Sequence, residues 1–79
     1  MATHATRPPR WDEVQPGWHM NLGGPYGWAK VTKVEPVPTP IDGIPRVRVH
    51  FLTAAGERPQ HVNPVADPLY PYRRNGAAA

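Results

Sequence analysis

The strictest alternation in the chain runs from Arg46 to Phe51, with Val47, Val49 and Phe51 on one side and Arg46, Arg48 and His50 on the other. A period of two is the signature of a strand with one buried and one solvated face. A second alternation, Trp18, Met20 and Leu22 against His19 and Asn21, predicts an earlier strand. Between the two lies the run Trp28–Glu35, whose large apolar residues Trp28, Val31 and Val34 are spaced by three. Eight residues closed by Gly27 and Pro36 are too few for a stable helix. The spacing therefore predicts a strand with one extra residue near Thr32-Lys33, a β-bulge that returns Val34 to the face of Val31.

The breaks between these runs are equally readable. Gln15-Pro16-Gly17 has proline at the first corner and glycine at the second, the pattern of a type II turn. Gly23-Gly24-Pro25-Tyr26-Gly27 predicts a loop, and Asp42-Gly43 a further turn. Pro36-Val37-Pro38-Thr39-Pro40, with proline at every second position, predicts a stiff extended connector without ladder bonds. Ala54-Ala55-Gly56-Glu57 predicts a short hairpin loop from which residues 58–62 return antiparallel, Pro59 marking that return as an edge strand and Asn63-Pro64 ending it. Residues 65–73, with Leu69, Tyr70 and Tyr72 around two prolines, predict a 3₁₀ turn and a closing strand.

Twelve prolines leave no proline-free stretch longer than thirteen residues, so long helices are excluded. The expected fold is all-β: a small SH3-like barrel or open β-roll of four to five short strands over residues 11–74, with proline-rich loops. Residues 1–10, ending in Arg7-Pro8-Pro9-Arg10, are expected to form a flexible arm and residues 75–79 a disordered tail. An ordered core of roughly 55–60 residues buries only about 60% of its extended surface, so stability is expected to be modest without a partner.

Composition narrows the function classes. Among 79 residues there is no cysteine and no serine, and the six carboxylates are scattered along the chain, with only Asp12 and Glu13 adjacent. The usual nucleophiles are therefore missing, and no catalytic apparatus is expected. His4, His19, His50 and His61 show no ligand-pair spacing, so neither a metal site nor a cofactor is expected. No run approaches ~18 apolar residues, so neither a signal peptide nor a membrane span is expected. The cysteine-free chain suits a reducing cytoplasm. High Ala, Pro, Gly, Arg and Val content with two lysines matches GC-rich coding, as in an actinobacterium or one of its phages, in which case the chain could be virion-associated.

The net charge is +3, which mildly favours anionic partners. Arg46, Arg48 and His50 form a basic row that Lys30 could join from the neighbouring strand. Side chains about 7 Å apart along a strand match successive phosphates or an acidic protein patch, and a merely solvated face explains the row equally well. Of the aromatic residues Trp11, Trp18, Tyr26, Trp28, Phe51, Tyr70 and Tyr72, Trp28 and Phe51 are assigned to the core. Trp18, Tyr26 and Tyr72 adjoin Gly and Pro loops and are candidates for exposed stacking or cage positions.

The order of these features resembles small SH3-like β-barrels of the KOW and Tudor kind over roughly residues 14–62: Val14-Gln15-Pro16-Gly17, then Trp28-x-x-Val31-x-x-Val34, then Val47-x-Val49-x-Phe51 leading into a hairpin tipped by Gly56. Trp18 stands where such modules usually carry Asp, and the proline connector is longer than their loop. The resemblance implies a fold rather than an activity, since such barrels bind RNA, DNA, peptides or other subunits through different faces. The resulting expectation is a non-catalytic protein-interaction or assembly module, such as a phage-encoded accessory subunit or an inhibitor of a host protein, with a protein partner or self-association. The alternative is a nucleic-acid-binding module that uses the basic strand face and exposed aromatics.

Overall fold

The computed structural model describes residues 8–38 and 42–74; the C-terminal tail 75–79 and most of the N-terminal arm lie outside the described residues. Five strands, β1 (His19–Asn21), β2 (Trp28–Pro36), β3 (Arg46–Thr53), β4 (Gln60–Pro64) and β5 (Tyr72–Arg73), form one antiparallel sheet in the order β4-β3-β2-β1-β5. The all-β expectation holds. A single 3₁₀ turn, Trp11–Glu13, precedes the sheet and packs on β2 and β3.

Local chemistry accounts for most of the connections. Trp18 N–H donates to the Gln15 carbonyl at 3.2 Å, and Gly17 has φ of 98°, as the second corner of a type II turn requires. At the β3–β4 hairpin Gly56 has φ of 87°, while Thr53 N–H donates to the Glu57 carbonyl at 2.9 Å and Thr53 Oγ1 accepts from Glu57 N–H at 3.0 Å. Asp42 Oδ1 accepts from Ile44 N–H at 3.0 Å and so closes the turn predicted at Asp42-Gly43.

Strand β3 buries Val47, Val49, Phe51 and Thr53 in strict alternation. In β2, Val31 pairs with Phe51 and Lys33 with His50, so Thr32 is the extra residue of the bulge; its Oγ1 donates to the His50 carbonyl at 3.2 Å. The bulge sets Val34 opposite Val49, as expected. It lies between Val31 and Val34, where the spacing placed it, and leaves the interval from Trp28 to Val31 without an extra residue. Trp28 consequently faces away from buried Ala29 and Val31, which corrects its assignment to the core.

The connector is corrected over its described part, residues 36–38, while Thr39 and Pro40 lie outside the described residues. Pro36 is the last residue of β2, opposite Val47, and Val37 N–H donates to the Arg46 carbonyl at 3.0 Å. Proline at alternate positions removes alternate donors only, so the ladder continues through the residue between them. Strand β4 is displaced by two residues from its expected span and runs through Pro64, which an edge strand tolerates.

The core forms where the segments flanking the sheet cross its inner face. Trp11 is fully buried; its backbone N–H donates to the Val65 carbonyl at 3.2 Å, its Nε1–H to the Pro68 carbonyl at 3.3 Å, and its ring meets Tyr70 edge-on with centroids 4.9 Å apart. Around it pack Val14, Trp18, Met20, Ala29, Val31, Val47, Val49, Phe51 and Val65.

Tyr70 OH lies 2.8 Å from His61 Nδ1 and 3.4 Å from Asn63 Nδ2. Asn63 donates to the hydroxyl, which keeps a donor and a second acceptor site with which to meet His61 Nδ1 in either tautomer. Desolvation by burial holds the His61 pKa below its usual 6.5. Because the unfolded chain takes up this proton first, the His61 contribution to stability is complete above pH 6.5 and is lost as pH falls from there towards the folded-state value. Melting temperatures measured between pH 7.5 and 5.5 should fall with acidification, and His61→Gln should flatten that slope. An unchanged slope in His61→Gln would remove this role.

Candidate binding face

Alternation and register place one set of side chains on the outer face of the sheet: Arg73 from β5, His19 and Asn21 from β1, Trp28, Lys30, Lys33 and Glu35 from β2, Arg46, Arg48, His50 and Leu52 from β3, and Gln60 and Val62 from β4. The basic row read from β3 is therefore real as a row. It is not a free cationic surface.

Arg46 is held by Asp42 through a bidentate pair, with Nη1 to Oδ1 at 3.0 Å and Nη2 to Oδ2 at 2.7 Å. The Arg46 guanidinium first, and the Ile44 N–H second, hold the Asp42 carboxyl down at about 2. Glu35 stands directly opposite Arg48 and serves two cations and a histidine: its Oε2 lies 2.8 Å from His50 Nε2 and 3.6 Å from Arg48 Nη1, and its Oε1 lies 3.3 Å from Lys33 Nζ. The hydrogen bond from His50 and the proximity of Lys33 push the Glu35 pKa below its ordinary value. Two carboxylates thus compensate four cationic or potentially cationic groups from within the face. A reader of β3 alone meets only the cations, because both carboxylates come from outside that strand.

The remaining predicted residues separate into three environments. Lys30 is exposed on the outer face and, among the described residues, forms no ion pair. Tyr26 sits in the β1–β2 loop and is 37% exposed. Trp18 is only 8% exposed and stacks on Tyr72 with ring centroids 5.3 Å apart and planes 13° apart. The expected exposure of Trp18 is corrected: the alternation that buries Met20 buries Trp18 as well, and Tyr72, opposite Met20, closes over it. Tyr72 is partly buried, and its outer side belongs to an open cleft of about 430 Å³ between residues 8–10 and 66–69.

No known protein family, curated protein or solved structure matches the chain. Its function has to be argued from its own surface.

Two surface residues missed in the sequence stand out. Arg73 lies over the Trp28 ring, its Cζ 4.3 Å from the centroid, and Val62 on β4 is 46% exposed. The first depends on β5 lying beside β1, which no local pattern announces. The second was within reach, since Pro59 already marked β4 as an edge. Among the described residues no group of three His, Cys, Asp or Glu side chains converges as a metal site would need, and no helix is long and apolar enough to cross a membrane.

Proposed function

We propose that the protein is a non-catalytic interaction module, an SH3-like small β fold that engages a protein partner by strand addition at β4. The fold reading is supported by the meander β1 to β4, with β5 returning beside β1, and by the bulged second strand. The observation that carries the functional reading is the open edge of β4. Phe51 N–H donates to the Pro59 carbonyl and Val65 N–H to the Pro45 carbonyl, so the odd-numbered residues of this segment direct their backbone groups towards β3. By alternation, Gln60 and Val62 direct theirs away from the sheet. Two N–H and two C=O groups are thus offered to an incoming strand, beside the exposed Val62 side chain.

Proline bounds this slot at both ends, Pro59 before it and Pro64 within the last position, where the Pro64 carbonyl already accepts from Asp67 N–H at 3.1 Å. A short bounded edge admits a short partner segment and resists open-ended sheet growth. The ion pairs of Arg46, Arg48 and His50 weigh against the alternative, nucleic-acid contact through the basic row.

Val62→Pro tests the reading, because it removes an N–H that has no partner among the described residues and should leave the fold intact. Extended peptides selected from a displayed library on the full chain should shift the Gln60 and Val62 amide resonances. They should lose binding to Val62→Pro and keep it to Val62→Thr. Selection of no peptide, or equal binding to Val62→Pro, would refute strand addition.

A further inference from the structure

His19 is flanked on both sides by basic residues. Within the sheet it pairs with Lys30 of β2 on one side and with Arg73 of β5 on the other. Adjacent strands lie about 4.8 Å apart, so the three side chains stand abreast over roughly 10 Å of the outer face. Among the described residues, no carboxylate comes within ion-pair distance of any of the three. The contrast with Arg46, Arg48, Lys33 and His50, all of which meet a carboxylate, is on the same face of the same sheet.

Two further features give this row the character of a prepared site. His19 Nδ1 is enclosed and, among the described residues, has no hydrogen-bond partner, which leaves Nε2 as the ring nitrogen able to meet an incoming group. The Arg73 guanidinium rests over Trp28, which lies two residues from Lys30 on the same side of β2. A guanidinium stacked on a ring keeps the N–H groups at its edge free to donate in its own plane. Stacking also orders the side chain before any ligand arrives, which lowers the entropy lost on binding.

We propose that Lys30, His19 and Arg73 form a docking site for an acidic peptide segment, whose carboxylates accept from the Arg73 edge, from Lys30 Nζ and from His19 Nε2. Charge complementarity selects an anionic occupant, and two observations favour a peptide over nucleic acid. Arg73 covers a face of Trp28 that a base would need for stacking. Glu35, farther along β2 on the same outer face, opposes the continued run of a phosphate chain but not a short acidic segment. The site spans β5, β1 and β2, across the sheet from the β4 edge, and does not depend on strand addition there.

The test is a titration of the isotope-labelled full chain at low salt with a synthetic octapeptide of alternating glutamate and glycine. The same peptide with glutamine for glutamate, and octathymidylate, serve as comparison ligands. The glutamate peptide should bind saturably and shift the amides of His19, Lys30 and Arg73, and the glutamine peptide should not bind. Lys30→Gln and Arg73→Gln should each weaken binding about tenfold, the effect of one lost charge-assisted hydrogen bond. Arg73→Lys should recover only part of the loss, because an ammonium group lacks the forked edge. Arg48→Gln should change affinity by less than about twofold, since Glu35 already engages that side chain. The proposal is overturned if Arg48→Gln costs as much as Lys30→Gln, or if no saturable binding is seen while the variants melt as the parent does. Tighter binding of octathymidylate, lost in the same variants, would assign the row to nucleic acid instead.

Discussion

Trp11→Ala should leave the chain unfolded or nearly so at room temperature. Replacing a fully buried tryptophan with alanine costs about 3–5 kcal/mol, and a domain this small has only about 5–10 kcal/mol in total. Here the loss extends beyond packing. Trp11 Nε1–H bonds to the Pro68 carbonyl and the ring supports Tyr70, whose hydroxyl joins His61 and Asn63 of the edge strand. Removing the ring therefore loosens the segment that leads into β5 and the inner side of β4 together. Denaturant unfolding followed by circular dichroism measures the effect. Trp11→Phe, which keeps most of the ring volume but not the donor, should lie between parent and alanine variant. A Trp11→Ala protein within about 1 kcal/mol of the parent would show that the 3₁₀ turn is dispensable.

The second large effect separates two tryptophans that the sequence assigned the wrong way round. Trp18→Ala removes a buried ring stacked on Tyr72 and should cost about 3–5 kcal/mol. Trp28→Ala removes a half-buried ring on the outer face and should cost about 1–2 kcal/mol, mainly through partial burial and the Arg73 contact. Chemical denaturation of the two variants side by side decides the matter. The reverse order of stabilities would mean that the β2 bulge lies before Val31 rather than after it.

The reason for this inversion is instructive. Spacing by three along Trp28, Val31 and Val34 demanded a bulge, and the bulge is there, at Thr32. One bulge can reconcile only one of the two intervals, so one end residue had to face outward. A bulge near Thr32-Lys33, where the spacing placed it, leaves Trp28 as that residue, yet the large ring of Trp28 argued for the interior. The cross-strand register decided otherwise: Ala29 opposite Thr53 and Val31 opposite Phe51 are both directed into the core.

The candidate site shows the same division. Arg46, Arg48 and His50 were legible as a row because alternation along one strand is a local property. Their compensation by Asp42 and Glu35 was not legible, since it requires Glu35 to reach a register opposite Arg48, thirteen residues away, and the turn at Asp42 to fold back on Arg46. Lys30 shares the outer face with that row, opposite Leu52. It stands with His19 and Arg73, and that grouping exists only once β1 lies between β2 and β5.

By itself, the sequence determined what depends on neighbouring residues along the chain. Prolines excluded long helices, Pro16-Gly17 and the Gly56 loop shaped turns through backbone dihedrals, and the period of two named the inward side of β3. Tertiary structure alone decided what depends on segments far apart: that Trp11 is buried under residues 65–70, that Trp18 is covered by Tyr72, and that His19, Lys30 and Arg73 from three strands stand abreast with no carboxylate among the described residues in ion-pair reach. Turn and strand preferences are set within a few residues, whereas burial and charge compensation are set by which strand lies beside which, and no local pattern carries that information.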